Sequence, residues 1–199
     1  MLGTAYRAIQ RLGLESGATV LIVGVGPIGL AAILLSRFFG LTVLAADQNE
    51  ERLKLARESG AAQVCNTERD DVASRVQALV DAEGVDAAID CAGAQATRLL
   101  CLRSVRRGGR VAFVGLRDGF TLEMADFREH FFLKDLDLVA SWDSNPSDMA
   151  EPERLVRRGL NPLRMVSHVL PIDHAPEGFD KMFSGRSGKV IQNPWDEGS

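Results

Sequence analysis

Cysteine and histidine are both scarce in this 199-residue chain, and their spacing removes several kinds of chemistry. Cys65, Cys91 and Cys101 form no C-x-x-C pair and no even-numbered disulfide framework, so each reads as a small hydrophobe in a reducing compartment. The three histidines, His130, His168 and His174, include no pair at H-x-x-x-H spacing, so no metal site is assigned. There is no G-x-S-x-G elbow and no Cys-His signature, which leaves nucleophilic hydrolysis without a candidate. A G-x-x-x-x-G-K-[ST] loop is absent too. The nearest string, GRSGK at 185–189, has the wrong spacing and follows a helix-like segment rather than a strand.

Long apolar runs are also missing. The longest, Ile28 to Leu35, is far too short to span a bilayer, and the N-terminus lacks a basic region followed by an apolar one. A soluble, cytoplasmic protein without a membrane partner is expected. Arginines are scattered and the net charge is -4, so a nucleic-acid footprint is not expected either. Repeats and low-complexity tracts are absent. What is present is an ordinary globular balance, 46% hydrophobic against 25% charged, enough to build a core.

Apolar periodicity then lays out alternating elements. Thr19–Gly24 is a continuous apolar run ending in glycine, as in a parallel strand buried on both faces. Pro27–Phe39 has helical length and stops at Gly40. Leu41–Ala46 is a second strand, Glu50–Ser59 a helix closed by Gly60, and Gln63–Cys65 a third strand. Asp71–Ala82 carries Val72, Val76, Leu79 and Val80 at helical spacing, and Val85–Cys91 is a fourth strand. Gln95–Val105 is a helix closed by RRGG, Arg110–Gly115 a fifth strand, Ala125–Phe132 a short helix and Leu136–Ser141 a sixth strand.

This order predicts an α/β fold, a doubly wound parallel six-stranded sheet of the Rossmann type with strand order 3-2-1-4-5-6. From Pro146 the texture changes. Met149–Arg158 and Ala175–Phe183 read as helices, Ser167–Pro171 and Gly188–Gln192 as short strands, none extending the sheet pattern. The expected division is 1–145 for the sheet domain and 146–199 for a helix and a return segment toward another domain.

The sharpest local signal is Gly24-x-Gly26-x-x-Gly29, placed where a strand ends and a helix begins. Gly24 permits the tight turn, Gly26 lets a pyrophosphate approach the backbone, and Gly29 lets helix and strand pack closely. Pro27 suits a first helical turn, where its missing N–H has no partner to lose. The turn offers unpaired N–H groups and a positive dipole end to a phosphate.

Asp47 ends the second strand, eighteen residues after Gly29; a carboxylate there accepts ribose hydroxyls and repels a 2′-phosphate. NAD is therefore favoured over NADP, with Gln48 grouped beside Asp47 as a cofactor-binding candidate. A ligand-free structural turn and an S-adenosylmethionine site are the competing readings; the third glycine and the long apolar helix speak against the second. At the ends of strands four and five, Ala92-Gly93 and Val114-Gly115-Leu116 are small and apolar, suited to a flat nicotinamide ring or simply to ordinary loops.

Four ordered segments resemble the C-terminal half of the medium-chain dehydrogenases, whose zinc-type alcohol and polyol members are best known. They are LGTAYRAIQRLGLESGATVLIVGVGPIGL, ADQNEERLKLARESGAAQVCN, GVDAAIDCAGAQATRLLCLRSVRRGGRVAFVGL and SHVLPIDHAPEGFDKMFSGRSGKVI. The resemblance implies that Ile28 backs the nicotinamide, that Asp47 and Arg52 hold the adenosine ribose, that Val114–Leu116 contact the nicotinamide end and that Lys189 reaches the pyrophosphate. It also implies a homodimer through the edge strand Leu136–Ser141, with Trp142 nearby.

In that family the catalytic zinc, the proton relay and most of the alcohol pocket lie in a separate N-terminal domain, which this chain is expected to lack. No catalytic residue is assigned here. The resemblance implies the NAD-binding part of an oxidoreductase that transfers hydride between a primary or secondary alcohol and NAD, its carbonyl product included as a ligand of the full enzyme. A non-catalytic NAD-binding or dimerisation module that needs a partner chain is the alternative. Zinc-free quinone reductases share the fold, so zinc dependence stays open.

Overall fold

The computed structural model describes residues 1–80, 83–117 and 127–195. Its centre is one parallel sheet of six strands in the order β3-β2-β1-β4-β5-β6, as the sequence predicts. The strands are β1 (Thr19–Val23), β2 (Thr42–Asp47), β3 (Gln63–Asn66), β4 (Val85–Asp90), β5 (Val105–Phe113) and β6 (Asp137–Ala140). The reversal in strand order falls between β1 and β4, which pair directly through Val20↔Ala87 to Val23↔Asp90. In this class of sheet the reversal opens a crevice outside the carboxyl ends of the strands.

Both faces of the sheet are covered, and this explains the unbroken apolar runs. Val20 and Ile22 of β1 enter one core with Val43 and Ala45 of β2, while Leu21 and Val23 enter the other with Leu44 and Ala46. Successive side chains point to opposite faces, so burial on both sides demands an apolar residue at every position. Helices α1 (Leu2–Leu12), α2 (Pro27–Phe38) and α3 (Glu50–Glu58) contribute to the first core; α4 (Val72–Leu79) and α5 (Gln95–Ser104) to the second. Full burial of an aliphatic side chain in such a core contributes about 1.5–3 kcal/mol.

Several boundaries differ from the sequence reading. The segment Leu2–Leu12 is a helix that buries Ala5, Ala8, Ile9 and Leu12 and ends at a left-handed Gly13. The fourth helix stops at Leu79; Asp81 and Ala82, which the pattern includes, lie outside the described residues. RRGG does not close α5. Val105 already pairs with Val85, the register then shifts, and pairing resumes at Ala87↔Arg110, so RRGG bulges out within β5. Of the predicted helix Ala125–Phe132, Ala125 and Asp126 lie outside the described residues, and Arg128–Phe132 is one wide π-type turn.

Beyond residue 145, α6 (Pro146–Arg157) starts three residues earlier than predicted, because Pro146 takes the first helical position instead of preceding the helix. It lies against α1, where Arg7 Nη1 meets Asp148 Oδ2 at 3.0 Å, and its Leu155 joins the first core along with Leu160 and Met165. The rest of the tail forms a separate two-stranded parallel sheet, β7 (Val166–Pro171) and β8 (Lys189–Asn193), with α7 (Ala175–Phe183) against it. Residues 196–199 lie outside the described residues.

Candidate functional site

The carboxyl ends of β1, β2 and β4 open onto a cleft of about 760 Å³. Gly24, Gly26, Asp47, Gln48, Arg52 and Ala92 line it, so six of the residues singled out in the sequence converge on one space.

The three glycines of the first turn meet different constraints. Gly24 sits at φ +88°, and a Cβ there would lie 2.8 Å from the Ala92 Cβ and backbone nitrogen. At Gly29 a Cβ would stand 2.0 Å from the Gly24 carbonyl oxygen, so helix and turn interlock there. Around Gly26 nothing lies within 4 Å. Gly26 is the N-cap of α2, Pro27 follows it, and the first backbone bond of the helix runs from Leu30 N–H to the Gly26 carbonyl at 2.8 Å. The N–H groups of Ile28 and Gly29 precede that bond and belong to the unpaired first turn. Ile28 itself is half-buried and packs on the first core.

Asp47 is buried at the end of β2, and backbone donors hold its carboxylate in place. Val25 N–H donates to Oδ2 at 2.7 Å and Asn49 N–H to Oδ1 at 2.9 Å. The acid therefore braces the glycine turn directly. A carboxylate has about four lone-pair sites, so about two are left after these backbone bonds at a residue that lines the cleft. Arg52 Nη1 lies 3.9 Å from Asp47 Oδ2, with the arginine side chain about three-quarters buried.

The opposite wall comes from β4 and α5. Asp90 ends β4 and is fully buried; its Oδ1 accepts from the N–H groups of Ala92 and Gly93, each at 3.0 Å. Burial pushes this carboxyl up, and the Gly93 amide, the Thr97 hydroxyl, the Ala92 amide and the Arg98 charge all oppose the rise. Gly93 sits at φ +75° with its Cα face against Gly115, where a Cβ would come within 2.4 Å of the Gly115 carbonyl carbon. The ends of β4 and β5 thus touch backbone to backbone. Val114 is buried beside them, while Leu116 is 64% exposed.

Lys189 is not among the residues lining the cleft. It borders a shallower groove between β8 and α7 with Gly178 and Met182, next to Gly188, whose Cα face packs on Leu30 of α2 and Leu55 of α3. Sequence reasoning in turn missed Thr67, Val72, Thr97, Leu100, Arg103 and Arg117, all of which line the cleft. Thr97, Leu100 and Arg103 lie on one side of α5, where helical spacing reads only as packing, so no short motif marks them. Arg103 Nε donates to His130 Nε2 at 3.1 Å, which ties His130 to the rim of the cleft.

Among the described residues, no group of three or more His, Cys, Asp and Glu side chains stands where it could hold a metal ion. Cys65 and Cys101 are buried in the second core. Burial raises the Cys65 thiol to about 11 and that of Cys91 further, so neither is disposed to act as a thiolate. His168 Nδ1 is engaged by the Ser167 hydroxyl at 2.8 Å, and His174 Nδ1 by Glu177 at 3.2 Å. Among the described residues no helix is long and apolar enough to cross a membrane.

Comparison with known proteins points the same way as the geometry. An L-threonine 3-dehydrogenase from Shewanella baltica (strain OS185) is 33% identical over 189 residues, covering 90% of this chain and 52% of that protein. The alcohol dehydrogenase TADH from Thermus sp. ATN1 superposes with a TM-score of 0.85 at 32% identity, over 96% of this chain and 56% of that one. A protein from Sinorhizobium meliloti 1021, solved bound to NADP, gives a TM-score of 0.80 at 25% identity, over 97% of this chain and 57% of its own. The chain thus spans about half the length of the relatives it matches. The sequence model of the zinc-binding dehydrogenases matches residues 27–158, the stretch that runs from the first helical turn of the cleft through β6 and α6. With the strand order and the family sequence in register over that stretch, the chain belongs to the zinc-binding dehydrogenase family.

Proposed function

We propose that this chain is the dinucleotide-binding part of an alcohol- or polyol-type oxidoreductase, with NAD favoured over NADP. The observation that carries the reading is Asp47. It is a buried carboxylate fixed by the glycine turn itself, with two acceptor sites left over, facing the open space at Gly26. In this reading the pyrophosphate lies over Gly26 and the start of α2, in space that a side chain at residue 26 would take up, beside the unpaired N–H groups of the first turn. The ribose hydroxyls donate to Asp47, and Gln48 and Arg52 flank the adenosine. Arg52 is already directed at Asp47, so a 2′-phosphate would meet a carboxylate whose charge the guanidinium only partly offsets.

Ala92, Gly93, Val114, Gly115 and Leu116 form the surface for the nicotinamide, with Ile28 behind it. When bound, the nicotinamide supplies the hydride acceptor; this chain's residues hold and orient it and keep water from one of its faces. The resemblance gives Lys189 to the pyrophosphate; its side chain borders the groove beside α7 and would have to turn out of that groove to take the role. The alcohol and carbonyl ligands bind outside this chain's own cleft, in a further domain of the kind the resemblance implies, which also supplies any zinc. Residues 1–145 form the cofactor unit, and 146–199 run through α6 to the return segment. Assembly as a dimer through β6, with Trp142 72% exposed beside it, and residence in a reducing cytoplasm complete the proposal.

The test is a fluorescence titration of the purified chain with NADH and NADPH side by side. The expected outcome is saturable NADH binding at least about tenfold tighter than NADPH, the difference of one charged hydrogen bond. Equal affinities would remove the NAD preference, and no binding of either at millimolar concentration would remove the function.

A further inference from the structure

Arg98 is the largest fully buried side chain among the described residues. It stands on α5, whose other buried side chains include the small or apolar Cys101 and Leu102. A methionine or leucine would fill similar space without the desolvation cost that a guanidinium carries. Its Nη2 donates to the Gly93 carbonyl at 2.5 Å. The N–H of the same residue donates to Asp90 Oδ1, so both polar groups of residue 93 are held by buried charged side chains, one from β4 and one from α5.

Gly93 itself has little conformational freedom. Gly93 is left-handed, sits against Gly115 and follows Ala92 in the cleft wall, and Arg117 N–H approaches its carbonyl at 3.4 Å. Asp90 also accepts the N–H groups of Val114 and Gly115 on its backbone carbonyl, at 3.0 and 2.9 Å. The turn after β4 and the turn after β5 therefore depend on one small polar cluster beneath the cleft floor.

We propose that Arg98 is a positioning residue for the dinucleotide site: by holding the Gly93 carbonyl from inside the core, it fixes the β4–α5 turn in the shape that receives the nicotinamide half of the cofactor. The inference rests on the dinucleotide reading above and adds to it a residue that never touches the ligand. Charge-assisted hydrogen bonds are the strong ones, and a backbone already in its bound shape binds without an ordering cost.

The test compares Arg98→Met, which keeps bulk and removes the donors, with Arg98→Lys, which keeps charge and one donor group. Each is titrated with NADH, and amide exchange is followed at Ala92 and Gly93 and at Leu21–Val23 of β1. The expected result for Arg98→Met is an NADH Kd raised at least tenfold, with faster exchange at Ala92 and Gly93 and none added in β1. Arg98→Lys is expected within about threefold of wild type on both measures. Should the methionine variant not fold, Arg98→Gln replaces it, with an expected three- to tenfold rise.

An Arg98→Met protein that binds NADH within twofold of wild type overturns the proposal. A weakened Kd without faster exchange at residues 92 and 93 overturns it too. If wild type binds neither dinucleotide, the functional reading fails separately, and unchanged exchange in Arg98→Met would then overturn the clamp itself.

Discussion

Strands β1 and β8 are each five residues long and each pairs in parallel, yet they live in different environments. Four of the five residues of β1 are buried, and its side chains feed a core on both faces. Every residue of β8 is only half-buried; the adjoining α7 leaves Phe179 and Phe183 53% and 78% exposed, and Val169 of β7 is 58% exposed. The six-stranded sheet closes its own core. The β7–β8 segment keeps one apolar layer open, and its order comes from the pairing of β7 with β8, from α7 and from Gly188 seated on α2 and α3. One chain can thus close its core in one sheet and leave an apolar layer open in another.

The largest predicted effect falls on the sheet. Ile33→Ala, on α2 and fully buried, is expected to cost about 2–5 kcal/mol of stability in a denaturant titration, the range for a cavity in a packed core. A loss below about 1 kcal/mol would mean that the sheet is no better packed than the tail. Next is Gly26→Val. Open space around Gly26 predicts near-native stability, while NADH binding falls beyond detection, by about 100-fold or more for a blocked phosphate site. A variant that folds and binds normally would misplace the pyrophosphate.

Asp47→Ala comes third, with NADH expected to weaken about 10–100-fold, the loss of one or two charge-assisted hydrogen bonds. Its preference over NADPH should relax as Arg52 is released from Asp47. An unchanged ratio of affinities would break the link between that acid and cofactor choice. Smallest is Phe183→Ser, expected to shift stability by no more than about 0.5 kcal/mol, as for an exposed position. A loss of several times that would show that α7 is packed against something in solution and would erase the contrast.

The same contrast explains which parts of the molecule were legible in its sequence. β1, β2 and β4 are readable because burial on both faces leaves nearly continuous apolar runs, interrupted in β4 by Asp86. The glycine turn and Asp47 are readable because backbone geometry dictates glycine at fixed spacing. Helix α1 is legible as well, because Ala5, Ala8, Ile9 and Leu12 recur at helical spacing along its buried face. RRGG looks like a helix stop because glycines usually punctuate, whereas here pairing of Val105 with Val85 carries the strand through them. The second wall of the cleft stayed hidden because Thr97, Leu100 and Arg103 are brought to the site by tertiary packing of α5, and Arg98 lies in a stretch that reads as an ordinary helix face.

The contact between Gly93 and Gly115 carries a further consequence for how this cleft can evolve. Each position forbids a side chain because of the other's backbone, and neither can shrink to make room. No compensating substitution exists for such a pair, so drift at one site is not rescued by change at its neighbour. Side-chain variation around the cleft is then open at lining positions such as Gln48, Arg103 and Arg117, while the glycine contact beneath them admits none.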